Sequence, residues 1–151
     1  MNDLERAAGT YLYGRRMYEV MVAWETMPTP PDESAAVRDY AELWRAADKV
    51  VYSKTLTSVS STRTRLEQDF DVDAIRRMKA EHQRDISIGG PALAAVAFAA
   101  GLVDECRLFL HPVSIGRGNP ALPTDTRVRL GLVEQRRFDG GVVFLRYRTR
   151  A

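Results

Sequence analysis

Three short stretches of this chain hold residue types suited to gripping phosphate. Gly14-Arg15-Arg16 places two guanidiniums directly after a glycine, and arginine makes forked hydrogen bonds to phosphate oxygens, as a 2′-phosphate would require. Ser53-Lys54-Thr55 offers two hydroxyls and a cation. Gly89-Gly90 has no β-carbons, so an anion can approach the backbone, and the helix expected after it presents free N–H groups and a partial positive charge. Each has an ordinary reading as well. A glycine pair marks tight turns in general, and basic residues at a helix start are often simply solvated. Arginines in a first turn nevertheless oppose the helix dipole, which favours an anion there. The three stretches together are moderately specific for a phosphorylated ligand.

Other chemistry is not expected. His82 and His111 fall in different elements with no metal-ligand spacing around them. Cys106, the single cysteine, sits in the apolar run Cys106-Arg107-Leu108-Phe109-Leu110 with no histidine or lysine beside it. A small buried hydrophobe is its expected role, not a nucleophile. The chain has no Gly-x-Ser-x-Gly elbow and no Walker sequence.

The elements that must position these residues follow from period and punctuation. Thr10 to Tyr13 reads as a strand ended by Gly14, and Arg16 to Trp24 as a helix with Met17, Val20, Met21 and Trp24 on one stripe. Pro28, Pro30 and Pro31 break it. A second helix is expected from about Glu33, capped by Asp32, with Val37, Tyr40, Leu43 and Trp44 on one face. Lys49 to Tyr52 is a β-branched strand ending at Ser53, and Thr55 to Thr64 a loop with room for one short edge strand. Asp71 can cap a helix running through Ile75, Met78 and Lys79. Asp85 to Ile88 is a strand that runs into Gly89-Gly90, and Ala92 to Ala100 a small-residue helix closed by Gly101.

The period then changes to two. Glu105 to Val113, Leu132 to Phe138 and Val142 to Arg148 are the expected strands, the last two joined by the hairpin signal Asp139-Gly140-Gly141. Strand–helix alternation followed by an antiparallel hairpin predicts one α/β domain over residues 1–151. Its architecture would be three layers, α/β/α, around a mostly parallel mixed sheet with a C-terminal antiparallel hairpin. Ligands of such sheets bind beyond the C-terminal ends of the parallel strands. Gly14, Ser53 and Gly89 all fall just past those ends.

Composition sets the limits. A chain of 151 residues with 45% hydrophobic and 28% charged residues is an ordinary single globular domain. A net charge of +2 is too small to mark a nucleic-acid binder. Arg127, Arg129, Arg136, Arg137, Arg146, Arg148 and Arg150 crowd the C-terminal quarter and are expected on a solvated strand face. One cysteine allows no intrachain disulfide, the first residues lack a signal peptide's apolar stretch, and the longest apolar run, Ala92 to Val103, is too short to span a bilayer. A soluble cytosolic protein is expected, with no nucleic-acid or membrane partner.

Tyr13-Gly14-Arg15-Arg16-Met17-Tyr18-Glu19, Val51-Tyr52-Ser53-Lys54-Thr55-Leu56, and Ile88-Gly89-Gly90 with Gly101-Leu102-Val103-Asp104-Glu105 resemble the dihydrofolate-reductase-like reductases. The nearest branch is the reductase domain of bifunctional riboflavin-biosynthesis deaminase-reductases. His111-Pro112-Val113-Ser114-Ile115-Gly116-Arg117-Gly118 and Phe138-Asp139-Gly140-Gly141-Val142 look like that branch's P-V-x-x-G-x-G element and closing hairpin. The resemblance covers nearly the whole chain in order. It implies that Gly14, Arg15, Arg16 and Met17 line the phosphate site of NADPH, and that Ser53, Lys54 and Thr55 hold its 2′-phosphate end. Gly89 and Gly90, joined by a cis peptide in this superfamily, would meet the pyrophosphate with Ala92 and Leu93. Pro91 has no N–H to give.

The chain departs from this pattern at its start. Relatives begin with one further βα unit ahead of the segment that here starts at Asp3, and residues 1 to 9 do not match it. That unit carries part of the nicotinamide pocket and much of the substrate floor, so no catalytic residue is assigned. Its strand would lie between those at Asp85 and Cys106. The resulting trench is expected to be closed by a rearranged terminal segment, a partner chain or direct pairing of its neighbours. Little turnover is then expected from this form alone. The resemblance implies an NADPH-dependent reductase of a small heterocycle, either 5-amino-6-(5-phosphoribosylamino)uracil reductase-like or dihydrofolate reductase-like. The alternative is a degenerate, non-catalytic dinucleotide-binding dimerisation domain. Leu108, Leu110, Val142, Phe144 and Tyr147 alternate with polar residues, and a homodimer through the C-terminal strands is expected.

Overall fold

The computed structural model describes residues 2–28, 30 and 32–150; Pro31, one of the three expected helix breakers, lies outside them. In the segment Ala-Gly-Thr-Tyr-Leu-Tyr-Gly every residue except the two glycines is buried. A strand covered on both faces belongs inside a sheet. This strand, β1 (Ala8–Gly14), lies between β2 (Asp48–Tyr52) and, on its other side, β4 (Asp85–Gly89). A short strand, β3 (Thr64–Glu67), edges the sheet beyond β2, and all of these pairings are parallel.

The helices carry the chain back between parallel strands. α1 (Arg15–Met21) follows β1 directly, and α2 (Ala23–Thr26) continues it after a break at Val22. The expected single helix is thus two, which sets Trp24 edge-on to Tyr40 with centroids 4.8 Å apart. α3 spans Ala35–Ala46. Its cap is Ser34, whose side chain accepts from the Val37 N–H; Asp32 was the expected cap, but the helix starts too late for it to reach. α4 (Val72–Glu81) is capped by Asp71 as expected and buries Ile75 and Met78, with His82 as its C-cap. α5 spans Pro91–Ala99, and proline suits a first helical position.

The core of this part is aromatic. Tyr11, Tyr13, Tyr18 and Trp44 cluster with Ala8, Ala47 and Val51. Tyr11 and Tyr13 stack with centroids 5.6 Å apart, and Trp44 Nε1 donates to the Tyr13 hydroxyl at 3.2 Å. Lys49 is also buried here. Its Nζ donates to the Trp44 and Ala47 carbonyls at 3.0 and 2.9 Å and lies 4.3 Å from the Trp44 ring centroid, so it closes the C-terminus of α3. Burial pulls its ammonium below the ordinary lysine value.

The chain divides into two compact units, Met1–Leu93 and Ala94–Ala151. The second is built on an antiparallel sheet in the order β5 (Glu105–Leu110), β7 (Val143–Arg150), β6 (Arg129–Arg137). β6 and β7 are joined through Asp139-Gly140-Gly141, where Phe138 N–H donates to the Val142 carbonyl and Gly141 takes a φ of +80°. β5 stops at Leu110 and not at Val113 because Pro112 has no N–H for a ladder. His111 therefore lies beyond the strand. The α/β class and the closing hairpin are as expected, but the strands divide between two sheets. β4 is outermost in one sheet and β5 in the other. The N-terminal 3-10 turn at Asn2–Leu4 adds no strand; Asn2 Nδ2 donates to Ala36 O and Asp39 Oδ2.

Candidate active site

Parallel pairing brings three strand ends side by side. Gly14 is in register with Tyr52, and Tyr13 with Gly89, so Arg15, Ser53 and Gly90 all emerge from one edge of the sheet. At ordinary strand spacing the three ends span about 10 Å.

The geometry joins two of the expected stretches directly. Arg15 Nη1 donates to Thr55 Oγ1 at 2.8 Å, while Arg15 Nε donates to Glu19 Oε1 at 2.7 Å. Ser53 is buried under its own turn: its Oγ accepts the N–H groups of Thr55 and Leu56 at 3.2 and 3.0 Å. It shapes the loop that presents Thr55. Lys54 is exposed and ion-paired with Asp69 at 2.9 Å, a surface pair of small worth. Arg16 is exposed and has no acidic partner among the described residues.

The third stretch fits closely against the first. A β-carbon on Gly89 would lie 3.0 Å from Tyr13 Cε1 and 3.3 Å from Met17 Cγ. Gly90 has a φ of +100°, a conformation that L-residues rarely adopt, and its missing β-carbon would meet Met17 Cβ at 3.4 Å. Met17 thus packs where α1 faces the glycine turn. All described peptide bonds are trans, so the cis bond implied for Gly89-Gly90 is absent and the positive φ of Gly90 makes the turn. A β-carbon on Gly14 would lie 3.9 Å from Leu93 Cβ, and Ala92 is exposed on the first turn of α5. Eight of the eleven expected residues, Gly14, Arg15, Met17, Ser53, Thr55, Gly89, Gly90 and Leu93, are tied into this edge by register or contact. Arg16, Lys54 and Ala92 stand exposed beside them.

Sequence reasoning missed the residues that hold the Ser53–Arg63 loop in place. The Tyr18 hydroxyl accepts the N–H groups of Ser60 and Ser61 at 2.9 and 3.2 Å and bonds Ser61 Oγ at 3.0 Å. Glu25 Oε1 accepts the next N–H, that of Thr62, at 3.0 Å. Three consecutive backbone donors are thus satisfied by side chains from α1 and α2. Burial pushes both groups up, but the bonds from Ser61 and Ser60 bring Tyr18 below the usual phenol value. Those from Thr62, with Lys49 and Arg45 nearby, hold Glu25 below the usual carboxylate range. No side-chain pattern in a serine-rich loop announces a site made of backbone N–H groups.

The edge thus carries one cation without an acidic partner among the described residues, Arg16, beside the Arg15–Thr55 hydrogen bond and the Gly89-Gly90 turn. The fold is shared with solved proteins of low sequence identity. A protein of Shewanella sp. PV-4 named for riboflavin biosynthesis superposes with a TM-score of 0.74 at 16% identity, over 99% of this chain and 78% of that one. A pyrimidine reductase-like protein of Corynebacterium diphtheriae gives 0.60 at 15%, over 97% and 78%. RibD of Acinetobacter baumannii gives 0.65 at 12%, with 99% of this chain covering 50% of that one. In sequence, the uncharacterized protein YyaP of Bacillus subtilis (strain 168) is 29% identical over 150 residues, which is 96% of this chain and 76% of that protein. The dihydrofolate-reductase-like fold is therefore shown. Residues 1–144 match the RibD C-terminal domain family, and the chain belongs to it.

Proposed function

We propose that this protein is an NADPH-dependent reductase of a small heterocycle of the pteridine or ribosylaminopyrimidine kind. Membership of the RibD C-terminal domain family and the likeness to a pyrimidine reductase-like protein support the reductase reading. The observation that carries the cofactor reading is the Arg15–Thr55 hydrogen bond across two adjoining strand ends, beside the uncompensated Arg16. It sets a guanidinium and a hydroxyl together where a 2′-phosphate needs both a charge and a fork of donors.

The residues present fit the cofactor. The missing β-carbons of Gly89 and Gly90 let Tyr13 and Met17 pack close against the turn, and the positive φ of Gly90 turns the backbone at the strand end, where a pyrophosphate would meet it. Arg15, Arg16, Lys54 and Thr55 would hold the 2′-phosphate end, with Ser53 fixing the turn. Met17, Ala92 and Leu93 would line the path between. When bound, the nicotinamide supplies the hydride; the protein binds and orients it. The same reading places the protein in the cytosol as a homodimer. No described helix is long and apolar enough to cross a membrane. The test is NADPH oxidation followed spectroscopically with ribosylaminopyrimidine and dihydropterin substrates. Oxidation that depends on one of the two substrate classes, however slow, is expected. Tight NADPH binding with no oxidation in either series would replace the reductase with a non-catalytic dinucleotide-binding domain.

A further inference from the structure

The arginines on and beside the antiparallel sheet differ in their partners. Arg146 lies 3.1 Å from Glu105 and 3.6 Å from Glu134; Arg148 lies 3.5 Å from Glu105 and Arg136 2.8 Å from Glu134. These are neutralised. Arg127, Arg129 and Arg150 have no acidic partner among the described residues. Arg129 and Arg150 are moreover direct cross-strand partners in the β6–β7 register. Like charges placed opposite one another on a sheet repel.

The Arg150 guanidinium lies over Gly131, which has no side chain to meet it. Arg127, Arg129 and Arg150 line one cleft of about 400 Å³ together with Phe98, Val103 and Thr149. That volume lies in the range of small-molecule sites. The Thr149 hydroxyl is already spent on the Val103 and Asp104 carbonyls at 2.6 and 3.2 Å, which leaves recognition to the three guanidiniums. A cleft of this size with three uncompensated cations calls for a small ligand of several negative charges.

We propose that this cleft binds a small multivalent phosphate, a diphosphate or a compact phosphate ester, through Arg127, Arg129 and Arg150. The proposal uses none of the strand-end residues assigned to the cofactor and does not rest on that reading. A nucleic-acid duplex would need a longer basic track, and the neighbouring Glu105 and Glu134 interrupt one.

The test is calorimetric titration of the full chain with inorganic pyrophosphate at low and high salt. Binding that weakens with salt is expected, reduced about tenfold by Arg129→Ala, as loss of a charged hydrogen bond implies. Arg129→Ala/Arg150→Ala should abolish it, and Arg129→Lys should retain most of it. Arg127→Ala, which lies outside the strands, gives the same reading should the double variant fail to fold. Absence of binding at low salt, or wild-type binding by these variants, would overturn the proposal. So would loss in Arg16→Ala alone, which would move the pyrophosphate to the strand-end site. Tighter binding of a short DNA duplex than of pyrophosphate would overturn it in favour of a nucleic-acid face.

Discussion

Gly90 carries a φ of +100° and faces Met17 across the gap a side chain would occupy. Gly90→Val forces a β-branched residue into a backbone region that costs roughly 1–3 kcal/mol and fills the phosphate path. The expected result is a folded but less stable protein that no longer binds dinucleotide, checked by circular dichroism and fluorescence titration. Normal cofactor binding by this variant would remove the glycine turn from the site. At this scale the sequence is informative where a residue's type is its function. Gly14, Arg15, Thr55, Gly89 and Gly90 have chemistry that survives any rotamer, and the fold brings them to one edge. Ser53 has the right type but a different task, since its hydroxyl is committed to two backbone N–H groups. Tyr18 and Glu25 were invisible because their partners are backbone amides far along the chain.

The element that matters most is the loop between β2 and β3, held by Tyr18 from α1 and Glu25 from α2. Glu25 has a folded-state pKa below its unfolded value. Its stabilising contribution is therefore present above about pH 4.3, the unfolded glutamate value, and lost as pH falls through the folded one. Glu25→Gln keeps an acceptor for Thr62 but cannot titrate. Urea unfolding across the acid range should show a shallower loss of stability in this variant than in the wild type; identical slopes would mean that the carboxylate does not hold the loop. The elements flanking the loop were legible in different degrees. β1 and β2 stood out because buried parallel strands leave β-branched and aromatic runs, and β4 because its short apolar run ends in Gly89-Gly90. β3 is a polar four-residue edge with half-buried and exposed residues alternating, and only hydrogen bonding to β2 makes it a strand. The bulge between Leu132 and Glu134 in β6 shifts the pairing, leaving Leu132 and Val133 both exposed where strict alternation expects one inside.

For the whole molecule, pattern predicted the order of elements but not their division into two sheets, because period-two strands carry no label for which sheet they join. The β6–β7 hairpin forms locally, and β5 adds to it on β7's other edge by a longer connection. The surface they leave bears on assembly. Phe144 was expected at an interface, but it is buried against Phe109 at 4.9 Å within its own sheet. Leu110 and Leu132 remain about half exposed. Association through these strands predicts a dimer by light scattering at micromolar concentration, weakened by Leu132→Glu; a monomer under those conditions would remove assembly from the account.

The central claim is that the strand-end edge of the four-stranded sheet takes NADPH. Calorimetric titration of the wild type and Arg16→Ala with NADPH and NADH at low salt tests it most directly. The account predicts clearly tighter binding of NADPH, a preference that shrinks with added salt, and a loss of about 1–3 kcal/mol for NADPH alone in Arg16→Ala. Equal affinity of the wild type for the two cofactors, unchanged by Arg16→Ala, would contradict it.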